Sequence, residues 1–253
     1  CDFDGHNPRK LVANGQLNLS PAWSSDGKWI AYTSYAKGKP DLYIKHTLEK
    51  RGYQVLQKGT SISPAWVPNR LELAASLSHT GDPEIYLLTG TGKIIRRLTE
   101  NRGIDVSPNW SPDGRRIVFE SDAPNLVPGD SNGVSDIFLY DSAADRLARV
   151  SIDSAGLQAE GHSQQPAISA DGRVVAFSTL AANLDPGDDN GTWDVYVHDL
   201  ASGTTTLAVD SAVSSLSCTN SSHFATTCGN TTNSLPVAIA VSTGSCAART
   251  MSR

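Results

Sequence analysis

Cysteine and methionine are scarce in this sequence of 253 residues, which contains four cysteines and one methionine. The cysteines stand only near the two ends, which excludes a disulfide framework for the long middle part. Cys218 and Cys228 are close enough in sequence to close a loop in an oxidising compartment. The sequence leaves the pairing of these two and of Cys246 open, and the fourth cysteine is Cys1.

Positive charge is also in short supply, with 21 Lys and Arg against 26 Asp and Glu and a net charge of −5. Because no basic run occurs, nucleic acid is not an expected partner. No apolar run reaches the length of a membrane span. The sequence shows neither an initiator Met nor a signal peptide, and we expect a processed chain or a part of a longer one.

Signatures of catalysis and of zinc binding are absent as well. The six histidines show no zinc-ligand spacing. The segment Gly161-His-Ser-Gln-Gln lacks the flanking glycines of a hydrolase nucleophile elbow. We therefore expect a protein that is not an enzyme.

What the sequence does contain is a fifteen-residue unit repeated four times without a gap. Its clearest copy is Ser107-Pro-Asn-Trp-Ser-Pro-Asp-Gly-Arg-Arg-Ile-Val-Phe-Glu-Ser121. Asp-Gly predicts a tight turn between two strands, because Gly accepts positive φ and Asp caps its own turn. The strand after the turn is apolar on both faces, so it must be covered on both sides. The other copies begin at Ser20, Ser63 and Gln165, and the second has Asn69-Arg70 in place of Asp-Gly.

Two landmarks fix the spacing of each copy. The first is a large apolar residue, which we expect to be buried between repeats. The second is an acidic residue followed by three strand formers, 18 positions later in two copies and 26 in the others, so the last two copies carry eight extra residues. The apolar landmarks are Trp23, Trp66, Trp110 and Ile168, and the acidic ones are Asp41, Glu84, Asp136 and Asp194.

The repeat period is 43, 44 and then 58 residues, with about four strands expected per repeat. Such a period is typical of a β-propeller blade, since one small sheet cannot cover both its faces and stacked blades do so. We predict an all-β propeller, incomplete or five-bladed, with blades at residues 16–59, 60–102, 103–160 and 161–210.

The two ends of the chain do not complete a repeat. Residues 1–15 align with 88–102 and are expected to be the outer remnant of a preceding blade. Residues 211–253 are rich in Ser, Thr and Asn, and we expect a poorly packed tail there. Its one strand-like run is Leu235–Val241, a candidate edge strand with Pro236 near its start.

The two eight-residue inserts are the best candidates for a functional site. Both contain the pattern Asp-x-Asn-Gly-x-x-Asp, and calcium requires several oxygens from a short loop kinked at Gly. The pattern lacks the distal Glu of a calcium loop, so a polar turn closed by Asn-Gly is the alternative and the one we favour. Since both inserts join the same pair of strands, they should lie on one rim. The candidate calcium ligands are Asp130, Asn132, Asp136, Asp188, Asn190 and Asp194.

The repeats resemble the propeller of the TolB family, the periplasmic component of the Tol-Pal system. The motifs that carry the resemblance are Ser20-Pro-Ala-Trp23, Asp26-Gly27, Tyr32-Thr-Ser34 and Lys39-Pro-Asp-Leu-Tyr43. The resemblance is close over residues 1–122. Residues 123–210 resemble a looser set of secreted TolB-like repeats, marked by the runs from Asn125 to Gly133 and from Asn183 to Gly191. The family has an α/β domain and six blades, and this sequence supplies no α/β domain and about four and a half blades.

The resemblance implies a non-enzymatic, protein-binding propeller that acts in the periplasm or as a secreted protein, in cell-envelope integrity or transport. It implies a peptidoglycan-associated lipoprotein as a partner, bound at the loop rim and the mouth of the central channel. Two alternatives remain open. One is a calcium-stabilised structural module of a secreted protein. The other is a fragment of a propeller hydrolase or lyase, although residues 211–253 are too few to hold a hydrolase domain.

Overall fold

The computed structural model describes residues 9–55 and 59–209, and these residues form sixteen strands and no helix. The strands make four antiparallel sheets of four, each with its strands in chain order. The first strands of neighbouring sheets contact one another and form the inner wall of a propeller. The predicted all-β propeller with four-stranded blades is therefore confirmed. No helix in the described ranges is long and apolar enough to cross a membrane.

The strands are numbered along the chain. Blade 1 contains β1 (Asn18–Trp23), β2 (Trp29–Ser34), β3 (Asp41–His46) and β4 (Gly52–Gln54). Blade 2 contains β5 (Ser61–Trp66), β6 (Glu72–Leu77), β7 (Glu84–Thr89) and β8 (Ile94–Arg97). Blade 3 contains β9 (Asp105–Trp110), β10 (Arg116–Ser121), β11 (Asp136–Asp141) and β12 (Arg146–Arg149). Blade 4 contains β13 (Ser163–Ile168), β14 (Val174–Thr179), β15 (Asp194–Asp199) and β16 (Thr205–Val209).

The turn between the first two strands of a blade forms as the Asp-Gly pattern predicts. Gly27 has a φ of 67°, and the Ser24 hydroxyl donates a hydrogen bond of 2.6 Å to Asp26 Oδ1. In blade 2, where the Asp-Gly pair is missing, Asn69 adopts the left-handed φ of 59° instead. The Ser–Asp hydrogen bond recurs at Asp113 and Asp171.

The core consists of three apolar clusters, each at the junction of two neighbouring blades. Successive side chains of a strand point to opposite faces of the sheet. Leu73 of β6 accordingly faces blade 1, whereas Ala74 next to it faces blade 3. The second strands of blades 2 and 3, β6 and β10, are buried on both faces for this reason.

The four large apolar landmarks are not equally buried, which corrects the expectation that all lie in the core. Trp66 and Ile168 are buried, and Trp110 is half-buried. Trp23, in contrast, is 55% exposed. The landmark packs on the preceding blade, as the hydrogen bond of 3.1 Å from Trp66 Nε1 to the Ala22 carbonyl shows. No blade precedes Trp23 within the described residues, so its ring packs on no described sheet.

Each first strand contains a bulge at the residue before proline. This residue has a φ between 49° and 55°, although a residue before proline normally prefers extended backbone. At two of the bulges, an N–H donates a hydrogen bond to the neighbouring blade. The N–H of Ser63 donates to Thr33 Oγ1 (3.3 Å), and that of Gln165 donates to Glu120 Oε2 (3.4 Å). The four bulged residues are Ser20, Ser63, Ser107 and Gln165.

Several predictions fall outside the described residues. They concern the strand remnant at residues 1–8, the tail at 211–253 with Leu235–Val241, and all four cysteines. The adjacent residues 9–15 lie against blade 1, where Arg9 donates a hydrogen bond of 2.9 Å to the Thr47 carbonyl.

Candidate functional site

The two inserts and the chain segment between them form one continuous surface. The inserts connect β10 to β11 and β14 to β15, and residues 150–162, of which 151–162 lie at the rim, connect β12 to β13. Asn132 Nδ2 donates to the Ala159 carbonyl (2.8 Å), and Asn183 Nδ2 donates to the Gln158 carbonyl (2.9 Å). Residues 122–135, 151–162 and 180–193 therefore make up a single hydrogen-bonded rim, which we call the insert rim.

The insert rim is acidic and presents two exposed apolar side chains. It contains no Lys or Arg. Leu157 is 64% exposed and Trp193 is 39% exposed. A partner that docks here would meet these two apolar side chains and a surface without positive side chains. The carboxylates of the rim are those of Asp122, Asp130, Asp153, Glu160, Asp185, Asp188 and Asp189.

Each insert is closed by its asparagine, which bonds to the acidic residue that begins the third strand. Asn132 Nδ2 donates to Asp136 Oδ2, and Asn190 Nδ2 donates to Asp194 Oδ2, both at 2.9 Å. The oxygen of Asn132 accepts the N–H of Val134 (3.2 Å). These are the contacts of a polar turn. Within the described residues, no three His, Cys, Asp or Glu side chains form a group that could hold a metal ion.

In blade 3, the sequence-predicted carboxylates are brought together by an arginine that the sequence reasoning missed. Arg149 Nη1 lies 3.7 Å from Asp130 Oδ1 and 3.4 Å from Asp136 Oδ2, and all three side chains are buried. The Ser151 hydroxyl donates to Asp136 Oδ1 (2.6 Å). Burial raises the pKa of Asp136, and the bonds from Ser151 and Asn132 and the charge of Arg149 oppose that shift.

The arginine belongs to a pattern that recurs along the chain. The acidic residue of the third strand is buried in all four blades. In three of them, a residue 13 positions later on the fourth strand bonds to it: Gln54 to Asp41 (3.0 Å), Arg97 to Glu84 (2.6 Å) and Arg149 to Asp136 (3.4 Å). This spacing was the signal available in the sequence. In blade 4, the position equivalent to Arg149 on the fourth strand is occupied by Leu207. Leu207 pairs with Tyr196 in the same register in which Arg149 pairs with Phe138.

In blade 4, the insert carboxylate is bonded to a tyrosine. The Tyr196 hydroxyl donates a hydrogen bond of 2.8 Å to Asp188 Oδ2. The other oxygen of Asp188, Oδ1, is buried and has no hydrogen-bond partner. Burial raises the pKa of Tyr196 above its usual value, and the nearby carboxylates of Asp188, Asp185 and Asp194 raise it further.

A second buried pair of carboxylates lies on the same side of the propeller, between blades 2 and 3. Asn101 joins the pair, because its N–H donates to Glu84 Oε1 (2.9 Å) and its Nδ2 donates to Asp105 Oδ2 (2.7 Å). Burial raises the pKa of Asp105 to about 6, and the charge of Glu84 contributes to the shift. Glu84 Oε2 is buried without a hydrogen-bond partner.

The region of the chain that matches a known family contains all sixteen strands. The sequence model described as "TolB beta propeller domain" matches residues 1–211. The chain belongs to the TolB β-propeller family. The resemblance inferred from the Ser-Pro and Asp-Gly motifs is thereby confirmed.

Individual TolB proteins match smaller parts of the chain. A Tol-Pal system protein TolB from Desulfosudis oleivorans is 58% identical over 103 residues, which are 41% of this chain and 24% of that protein. Among solved structures, TolB from Acinetobacter baumannii has a TM-score of 0.61 at 25% identity, over 81% of this chain and 46% of its own. A puromycin-hydrolyzing peptidase from Mycobacterium tuberculosis has a TM-score of 0.59 at 17% identity, over 79% of this chain and 29% of its own, and shares the fold alone. The chain thus spans about a quarter of that first curated relative.

Proposed function

We propose that this chain is a non-enzymatic, protein-binding propeller of TolB type. Its place of action is outside the cytoplasm, in the periplasm or as a secreted protein, and its role lies in cell-envelope integrity or transport. Membership of the TolB β-propeller family supports the proposal, as does a relative that is named as a Tol-Pal system protein. The partner implied by the family resemblance is a peptidoglycan-associated lipoprotein.

The insert rim is the observation that carries the proposed protein-binding role. Leu157 and Trp193 are exposed on this rim among acidic and polar residues. Aromatic residues are enriched among the side chains that dominate binding energy, which makes Trp193 the candidate anchor for a partner. The hydrogen bonds from Asn132 and Asn183 to residues 158–159 hold the loops in place before a partner arrives. Preorganised loops lose less conformational entropy on binding.

The test is a calorimetric titration of the full chain with a purified peptidoglycan-associated lipoprotein from the same organism. We expect Trp193→Ala and Leu157→Ala each to weaken binding by about tenfold or more, as residues at the centre of an interface do. Leu71→Ala is the matched control, because Leu71 is also exposed (57%) but lies in the β5–β6 turn on the opposite rim. Absence of binding by the unmodified chain would contradict the proposal, and so would an equal loss in the Leu71 variant.

A further inference from the structure

The two inserts share their sequence pattern but differ in the charge that surrounds them. In blade 3, the buried guanidinium of Arg149 lies within 4 Å of Asp130 and Asp136 and balances part of their negative charge. In blade 4, the position of that arginine is taken by Leu207, and the position of Val127 is taken by Asp185. The second insert has thus exchanged a positive side chain for an apolar one and has gained a carboxylate.

The consequence of this exchange is visible at Asp188, the counterpart of Asp130. Asp188 is only 8% exposed. Its Oδ2 accepts a hydrogen bond from the neutral hydroxyl of Tyr196. Its Oδ1 has no hydrogen-bond partner. A buried carboxylate oxygen in this state retains the full free-energy cost of leaving water, which is why buried charges are normally paired or coordinate metals.

A small cation fits this place better than a side chain of another protein does. Asp188 Oδ1 is buried, so a small ion can approach it more closely than the bulky charged side chain of another protein can. Asp185 and Asp194 lie near the same tyrosine hydroxyl, and the Asp185 and Asp189 carboxylates at the surface would attract cations to the loop. Carboxylate, amide and carbonyl oxygens are the ligands that calcium prefers.

We propose that the insert of blade 4 binds a hard divalent cation, of which calcium is the representative, through Asp188 Oδ1. The cation takes over in blade 4 the role that the Arg149 guanidinium has in blade 3. Since the described residues contain no group of three acidic or His side chains arranged for a metal, backbone carbonyls and water complete the coordination. A site with few carboxylates is weak, in the range of about 10⁻⁴–10⁻³ M that is usual for extracellular modules. The proposal is independent of the protein-binding role.

The first experiment measures thermal unfolding of the full chain in chelator and in millimolar calcium at constant ionic strength. A ligand that binds only the native state raises the melting temperature. We expect calcium to raise the melting temperature of the unmodified chain by about 2–4 °C. Asp188→Asn should abolish the rise. Asp130→Asn is the matched control, and it should keep the rise although it removes a contact of Arg149. No rise in the unmodified chain, or a rise retained in Asp188→Asn, would overturn the proposal.

A second experiment needs no variant and therefore does not depend on the folding of Asp188→Asn. Terbium replaces calcium in oxygen sites and emits when a nearby Tyr or Trp absorbs light. Tyr196 bonds to Asp188, and Trp193 lies in the same loop. We expect the native chain to give sensitised terbium emission, and we expect excess calcium to abolish that emission by displacing terbium. The absence of emission, or emission that persists in excess calcium, would count against the site.

Discussion

At the scale of single residues, the same amino acid in the same motif has different surroundings in different blades. Trp23 and Trp66 occupy equivalent positions at the end of β1 and β5, yet Trp23 is 55% exposed and Trp66 is 7% exposed. The indole of Trp66 covers blade 1 and donates a hydrogen bond to Ala22. The sequence predicts that a tryptophan at this position can pack between two blades. Whether its ring is buried depends on the presence of a preceding blade.

The pair supplies a stability prediction with its own control. Trp66→Ala removes a buried ring and leaves a cavity between blades 1 and 2, so it should lower the free energy of unfolding by about 3–5 kcal/mol. Trp23→Ala removes a mostly exposed ring and should cost less than about 1 kcal/mol. Urea denaturation of the two variants measures both values. Equal losses would show that the environments of the two rings are alike in solution.

At the scale of elements, the junctions between blades combine apolar clusters with buried carboxylates. Asp105 begins β9 and lies close to Glu84, which begins β7. Arg97 balances the charge of Glu84 through a contact of 2.6 Å. Asp105 has no such arginine among its described contacts with Ser121, Asn101 and Glu84, and its raised pKa makes the junction of blades 2 and 3 sensitive to pH.

The direction of that sensitivity follows from the pKa of Asp105, which the folded chain raises from 3.8 to about 6. Because the native state holds this proton more tightly than the unfolded state, the carboxyl group stabilises the fold in its protonated form. Its contribution is full below about pH 4 and is lost as the pH rises through 6. The difference in unfolding free energy between the unmodified chain and Asp105→Asn should therefore fall by on the order of 2–3 kcal/mol from pH 4 to pH 7. A difference that stays constant over this range would contradict the shift.

The elements also show where prediction from the sequence ends. The Asp-Gly turns and the acidic residues at the start of each third strand could be predicted, since local backbone chemistry and strand pattern determine them. The bulges at Ser63 and Ser107 could not be predicted, because a residue before proline normally prefers extended backbone, whereas both residues adopt the left-handed region. The 13-residue spacing from Asp136 to Arg149 is visible in the sequence, but the pairing register is needed to show that the two side chains meet.

At the scale of the whole molecule, the four blades are joined through three separate apolar clusters and have no common centre. Blades 2 and 3 are each covered on both faces by another described blade. Blades 1 and 4 are each covered by such a blade on one face. The propeller class could be predicted from the repeat period, whereas this difference between blades depends on packing and required the structure.

Hydrogen exchange of the full chain can detect that difference. We expect amides of β6 and β10, in the blades with two covered faces, to exchange more slowly than those of β2 and β14. Local opening requires less free energy where fewer apolar contacts must be broken. Mass spectrometry of peptides from each strand provides the measurement. Equal protection would show that residues outside the described ranges cover the outer blades.

The three separate junctions also affect how such a chain can change over evolutionary time. When contacts are confined to neighbouring blades, a change in one blade has to be accommodated only by the blades beside it. The chain has already diverged in this way, with Asn69-Arg70 in place of Asp-Gly in one turn, Ile168 in place of a tryptophan and eight added residues in each of two loops. Loops on the insert rim are therefore free to acquire new partners or ions while the inner strands continue to specify the same architecture.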